Sequence, residues 1–255
     1  MSHRVKLVIV HGDKGGVGKS TAATVIASYL THQGRRLMVL ETDVGDSGAT
    51  PDVGPRFADA VGVDVTHMAL ETPNRHTRDT LADLFELIES SRAEYVVMNL
   101  PAGASRVLED VGTLLAAAAE ASNVEVRIAY VLDRTDSALA NAEAVVQGPI
   151  FGCAARSTLV RNEAIAGARE YDRRLDTQPF ARRLPRSTVP ELSPDTADLL
   201  TEHGDRNLVD LIDPDTTPLR TVQRIQVAQW FDAAAESLQV ALFPELSDYA
   251  TEEAG

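Results

Sequence analysis

His11-Gly12-Asp13-Lys14-Gly15-Gly16-Val17-Gly18-Lys19-Ser20-Thr21 decides how the rest of this chain is read. Just before it, residues 6–10 (KLVIV) form a short apolar run that reads as a buried strand. Just after it, residues 19–33 read as a helix, because Ala22, Val25, Ile26, Tyr29 and Leu30 recur at i, i+3, i+4, i+7 and i+8. A glycine-rich loop between a strand and a helix is the setting in which main-chain amides hold phosphate. Gly15, Gly16 and Gly18 allow positive φ and let N–H groups approach phosphate oxygens closely. The helix that opens near Lys19 adds its N-terminal dipole and free N–H groups. In this chemistry Lys19 reaches the β- and γ-phosphates and the Ser20 hydroxyl ligates Mg²⁺. The nucleotide-contacting run is therefore expected to be Asp13, Lys14, Gly15, Gly16, Val17, Gly18, Lys19, Ser20 and Thr21. The alternative is a flexible glycine-rich turn, which leaves the Gly-Lys-Ser placed between strand and helix unexplained.

The chain has 255 residues, with 24 Lys+Arg against 38 Asp+Glu, for a formal net charge of −14. Hydrophobic residues make up 44% and charged residues 24%, which fits a folded domain and argues against wholesale disorder. One cysteine excludes a disulfide framework, a Cys₄ zinc site and an iron–sulfur site built within one chain. Cys153 is expected to be structural, and a reducing cytoplasmic setting fits. No apolar run approaches the ~18 residues of a membrane span. His11 and Asp13 cut short the N-terminal apolar stretch, making it a poor signal peptide. Of the 24 basic residues only Lys6, Lys14 and Lys19 are lysines. Two of the three fall in the glycine-rich loop, where a compact ammonium suits a crowded site better than a guanidinium fork.

Short apolar runs then alternate with helical patterns, as in repeated βαβ units. Strands are expected at 37–42, 94–100, 126–132 and 158–160, and Gly34 is expected to end the first helix as a C′ glycine. Leu81, Leu84, Phe85 and Ile88 give a helical pattern before the 94–100 strand, and another helix should open near Asp136. Residues 169–218 are proline-rich and read as mostly loop. A last helix is expected from the Thr217-Pro218 pair, with Val227, Phe231, Ala234, Leu238 and Leu242 on one face. The fold class is α/β: a single doubly wound domain with a mostly parallel central sheet over residues 1–243, followed by an acidic C-terminal tail over 244–255. Ligand chemistry belongs at the C-terminal ends of the strands.

The loop departs from the strict GxxxxGK[ST] pattern, since Asp13 stands where the first glycine belongs. It meets KGGxGK[ST] instead. At this point the chain resembles the ParA/MinD family of deviant Walker A P-loop ATPases. The resemblance implies an ATP- and Mg²⁺-dependent ATPase that forms a homodimer on binding ATP. Lys14 would be the additional lysine that contacts the partner's phosphates across the dimer. Asp43, which follows Leu40-Glu41-Thr42, matches an aspartate that places the attacking water and supports the Mg²⁺ shell. Lys14, Lys19 and Asp43 are then the catalytic set, whereas Asp46 and Asp52 read as ordinary loop residues. Asn162, closing Leu159-Val160-Arg161-Asn162, matches an adenine-contacting asparagine.

Residues 96–103 (VVMNLPAG) match the family's Pro-Ala-Gly, but Asn99 replaces its aspartate. An aspartate there is charged and accepts hydrogen bonds from Mg²⁺-bound water. Asn99 is uncharged and carries an NH₂ donor. The metal set is thus Ser20, Asp43 and Asn99, with weakened Mg²⁺ retention or slow turnover expected. The family also implies partners. Eight arginines between Arg156 and Arg186 face four carboxylates, and Arg169, Arg173, Arg174, Arg182 and Arg183 could bind DNA non-specifically. Alternatively, that face pairs with its own carboxylates. A small adaptor protein is the other expected partner. No basic amphipathic helix for membrane binding is read at the C-terminus. Plasmid partition or conjugative transfer is the expected setting. The alternative is a hydrolysis-deficient interaction module in which ATP only stabilises a dimer.

Overall fold

In the computed structural model, β1 (Lys6–His11) lies at the middle of the sheet, with Leu7, Val8, Ile9 and Val10 fully buried. A strand covered on both faces has no solvent side, so its run is continuously apolar rather than alternating. The structure describes residues 4–12, 14–42, 53–70, 76–133, 135–165 and 168–251, with backbone alone at 168–171 and 248–251. The other strands are β2 (Leu37–Glu41), β3 (Val63–His67), β4 (Tyr95–Asn99), β5 (Glu125–Leu132), β6 (Arg156–Asn162) and β7 (Arg186–Val189). They form one seven-stranded sheet in the order β3-β2-β4-β1-β5-β6-β7, and every pairing is parallel. The expected mostly parallel, doubly wound sheet is therefore present.

The helices are α1 (Lys19–His32), α2 (Thr77–Ser90), α3 (Ala104–Ala121), α4 (Asp136–Gln147), α5 (Pro149–Cys153), α6 (Ala168–Asp176), α7 (Pro194–Glu202), α8 (Leu208–Ile212) and α9 (Thr221–Leu242). Side chains of β1 alternate between two cores. Leu7 and Ile9 pack with α2, α3, α4 and α5 on one face, while Val8 and Val10 pack with α1, α8 and α9 on the other. The first helix ends as its sequence predicts. Gly34 takes φ +63°, its N–H donates to Thr31 O, and the Arg35 N–H donates to Leu30 O. This is the two-bond closure that a left-handed C′ glycine permits.

Three stretches differ from the sequence reading. The 169–218 region is not mostly loop, for it holds α6, β7, α7 and α8. Its prolines punctuate short elements: Pro194 opens α7, and the Ser193 hydroxyl accepts from the Thr196 N–H as the cap. The last helix begins at Thr221, not at Thr217-Pro218. The Thr217 hydroxyl donates to Leu211 O and accepts from the Leu219 N–H, closing a turn instead of capping a helix. The residues named for its buried face are all buried. Finally, the acidic segment beyond residue 243 starts as a 3-10 helix against the body, with Leu246 in the α1/α9 core.

Glu245 pins that segment. Its carboxylate pairs with the buried Arg127 at 2.7 Å and accepts from the Tyr95 hydroxyl at 3.2 Å. Burial raises the Glu245 carboxyl pKa, but hydrogen bonding and charge from Arg127 outweigh it, so the net shift is downward. A carboxyl with a lowered native pKa stabilises the fold above its unfolded pKa and stops doing so as pH falls through the native value. Glu245→Gln should therefore lower the urea midpoint at pH 7. The gap to wild type should shrink as the pH drops below the ordinary value of 4.5, where the unfolded carboxyl begins to protonate. Equilibrium unfolding at pH 7 and pH 3 measures both.

Candidate functional site

The C-terminal ends of β1, β2, β4 and β6 meet at one edge of the sheet, where the order reverses around β1. The loop after β1 runs close to its neighbour. A Cβ on Gly12 would come within 2.7 Å of Val131 O on β5, so only glycine lets the chain pass. Gly16 and Gly18 have φ of +75° and +99°. Gly18 is the N-cap of α1. Lys19 opens the helix, 8% exposed, and its Nζ donates to Lys14 O at 2.7 Å, curling the loop over its own ammonium. Val17 turns away from the loop into the α1/α9 core, only 4% exposed.

Asn162, at the end of β6, braces the loop from the side. Its Nδ2 donates to Val17 O at 3.1 Å, and its Oδ1 accepts from the Ala164 N–H at 3.1 Å. Asn99, at the end of β4, closes the opposite wall. A cavity of about 380 Å³ lies between, bordered by Gly16, Gly18, Lys19, Ser20, Thr21, Asn99 and Asn162. Ser20 and Thr21 also border a neighbouring cavity of about 450 Å³, lined further by Thr24, Arg56, Leu192 and Trp230. The two share Ser20 and Thr21, in the first turn of α1.

Most of the expected nucleotide-contacting residues thus converge. Lys14 does not face this cavity. Its Nζ donates to Asp133 Oδ2 at 2.8 Å and to Thr135 Oγ1 at 2.7 Å, beyond β5 and at the cap of α4. Asp13 and Asp43 lie outside the described residues. Among the arginines, Arg174 pairs with Asp136, and Arg182 donates to Asp176 O. Nearby, Arg161 pairs with Asp172 and Glu163, and Arg186 with Asp176. Arg173 and Arg183 are exposed and make no ion pair among the described residues, and the Arg169 side chain lies outside them.

Sequence reasoning gave no role to Asp133, Thr135 or Glu41. Glu41 is 1% exposed at the end of β2. Its Oε1 accepts from the Val53 and Gly54 N–H groups at 2.5 and 2.8 Å, and its Oε2 accepts from Asn99 Nδ2 at 3.2 Å. The signal was a lone carboxylate closing the otherwise apolar strand Leu37-Met38-Val39-Leu40. Such a group is buried only where donors await it.

A parallel sheet carrying a glycine-rich, lysine-tipped loop from its central strand to a helix N-terminus defines the P-loop class of nucleotide-binding folds. Residues 8–172 match the family model for the CobQ/CobB/MinD/ParA nucleotide binding domain, and the chain belongs to that family. Solved structures agree on the fold. The septum site-determining protein MinD of Pyrococcus horikoshii OT3, complexed with Mg-ADP, aligns with a TM-score of 0.54 at 16% identity, over 97% of this chain and 98% of that one. A ParA family ATPase from Chlorobium tepidum TLS aligns at 0.53 and 15% identity, over 90% and 98%. A plasmid partition protein from Borrelia burgdorferi aligns at 0.50 and 15%, over 79% and 96%. No curated protein sequence matches the chain. No helix among the described residues is long and apolar enough to cross a membrane.

The loop's geometry is testable without any ligand. A Cβ on Gly18 would fall 2.3 Å from Asn162 Nδ2, at a φ that L-residues avoid, whereas one on Gly15 would meet nothing within 4 Å. Gly18→Ala should cost about 1–3 kcal/mol of folding stability, and Gly15→Ala should stay within about 0.5 kcal/mol of wild type. Urea unfolding of the two variants side by side gives the comparison.

Proposed function

We propose that this chain binds ATP with Mg²⁺ on the 14–21 loop, pairs with a second copy in the ATP-bound state, and hydrolyses the nucleotide slowly. The observation that carries this reading is the shared cavity, bordered together by Gly15, Gly16, Gly18, Lys19, Ser20 and Asn99. Amides and ammonium suit the phosphates, while hydroxyl and carbonyl oxygens suit a hard cation and its waters. Ser20, Asp43 and Asn99 would hold the Mg²⁺, which when bound would supply neutralisation of phosphate charge. Lys19 would hold the terminal phosphates. Gly15, Gly16 and Gly18 would let the main chain approach them, and Thr21 would flank the same helix turn. Asp43 is assigned to orient the attacking water, and Asn162 to the base. The Mg-ADP named with the Pyrococcus horikoshii protein supports the choice of ligand.

Lys14 is assigned to the partner's phosphates. Its side chain is 43% exposed, so its ion pair with Asp133 is a weak restraint of about 0–1 kcal/mol, and a nearby phosphate can outcompete it. The setting we infer is cytoplasmic DNA partition or conjugative transfer, through non-specific DNA or a small adaptor. The plasmid partition neighbour supports this, as do the exposed Arg173 and Arg183. One observation favours a second reading. Residue 99 carries no charge, which suits an interaction module in which ATP only stabilises the dimer.

Calorimetry with ATP and Mg²⁺ should show binding. Lys19→Ala should weaken it about 10- to 100-fold, the loss of a charged hydrogen-bonding partner. Light scattering should show a dimer with a non-hydrolysable ATP analogue and a monomer for Lys14→Ala. Slow release of phosphate selects the hydrolysing dimer, and dimers with no turnover select the interaction module. Absence of binding heat overturns both.

A further inference from the structure

Asn99 and Glu41 are register partners on adjacent parallel strands, at the last residues of β4 and β2. Asn99 is 4% exposed, and Glu41 is 1% exposed. A carboxylate has only acceptors to offer, so the Asn99 atom facing Glu41 Oε2 has to be the donor, Nδ2. That fixes the amide: Oδ1 is left on the other side, buried, with no hydrogen-bond partner among the described residues. Asn99 also borders the cavity beneath the loop. A buried, unmatched acceptor beside a phosphate cavity calls for a donor brought by the ligand, and a water bound to a divalent cation is such a donor.

We propose that Glu41 is a positioning residue that holds Asn99 so that its carbonyl oxygen, not its NH₂, receives a metal-bound water. The pair then does the work of one aspartate. Asn99 supplies the acceptor, and the negative charge sits one strand away on Glu41, satisfied by Val53 and Gly54. The proposal rests on nucleotide and Mg²⁺ occupying this cavity. It reverses the natural expectation for the site. Asn99→Asp, which looks like a repair, places two buried carboxylates at the same contact with no donor between them. It should therefore weaken Mg²⁺ retention and lower stability.

The experiment is a four-protein cycle on the full chain: wild type, Glu41→Gln, Asn99→Asp and the double exchange. A fluorescent ADP is titrated with Mg²⁺ and with EDTA, and the ratio of the two dissociation constants measures the metal's contribution. Each ligand-free protein is also melted. In Glu41→Gln, the side-chain carbonyl oxygen can still accept from Val53 and Gly54, but the new amide NH₂ now meets the NH₂ of Asn99. Asn99 must turn over and present Nδ2 to the cavity. Each single variant should lose about 10- to 100-fold of the Mg²⁺ contribution, as for other groups that orient a metal's ligands. The double exchange rebuilds a donor–acceptor contact, with an amide NH₂ on β2 now giving to a carboxylate on β4. It should recover to within about 3-fold of wild type, with its melting temperature restored. Should Asn99→Asp fail to fold, Glu41→Gln and the double variant still complete the comparison. The proposal is overturned if Asn99→Asp holds Mg²⁺ as well as wild type. It is overturned too if melting temperatures change while the Mg²⁺ ratio does not, or if the double is no better than the worse single. A wild type that binds nucleotide with no Mg²⁺ contribution, or does not bind it, overturns the metal reading of the cavity as well.

Discussion

Lys19 places an ammonium at the N-terminus of α1, where the helix already presents partial positive charge. Two sources of the same sign converge on one small volume, and the Lys14 carbonyl curled onto Nζ is the protein's own partial answer. Every other feature of the site follows from keeping that arrangement intact. Gly16 and Gly18 take left-handed φ in the loop that brings the Lys14 carbonyl back to the ammonium. Asn162 braces Val17 O so that the loop holds its curl. An anion with several oxygens is the ligand that relieves both charges together.

The far wall is governed by a different constraint, the burial of Glu41. A carboxylate at 1% exposure has to collect donors, and it takes them from two places in the chain. Val53 and Gly54 give their amides, and Asn99 gives its NH₂. The same short segment then sends Arg56 to the carbonyls of Leu200, His203 and Arg206, at the end of α7 and in the turn after it. One buried charge thereby ties the ends of β2 and β4 to a helix more than a hundred residues away in sequence. Thr42 adds a second tie, donating through both its N–H and its hydroxyl to Asn99 O.

The fold was legible where burial is two-sided and periodic. β1, α1 and the helical pattern around Leu84 each read correctly, because a continuous apolar run or a 3.6-residue stripe fits few conformations besides the buried strand or the one-sided helix. β3 and β7 were not legible, since they are the edge strands. Val63–His67 alternates over five residues, and Arg186–Val189 has one apolar residue in four. What makes β7 a strand is tertiary: the Thr188 N–H donates to the Ser237 hydroxyl on α9, and the Ser187 hydroxyl donates to Ser237 O. At the site, the loop could be read because its spacing encodes its chemistry. The partner of Asn99 could not, because register across a parallel sheet is invisible until the strand order is known. The arginine-rich stretch shows the same limit from the other side. Composition gave it a surplus of charge, but the fold brings Asp136, from outside the stretch, to Arg174, leaving a smaller free surplus than the count suggests.

The surroundings of the three lysines show why arginine is not used throughout. Lys19 sits where space is limited, and at none of the three do the acceptors form a fork. Lys19 reaches a main-chain carbonyl within the curl, Lys14 a carboxylate oxygen and a hydroxyl, and Lys6 lies over the Tyr95 ring at 4.7 Å. A guanidinium brings five N–H donors in a rigid plane, and in the loop most of them would be buried without acceptors. An ammonium can rotate its three donors and leave room for phosphate oxygens beside it. Elsewhere two forks are well supplied with acceptors: the buried Arg127 reaches Glu125, Glu245 and Leu242 O together, and the half-buried Arg56 reaches three carbonyls. The choice between the two cations therefore follows the acceptors each position offers, and in the loop the protein leaves room for those that a phosphate would bring.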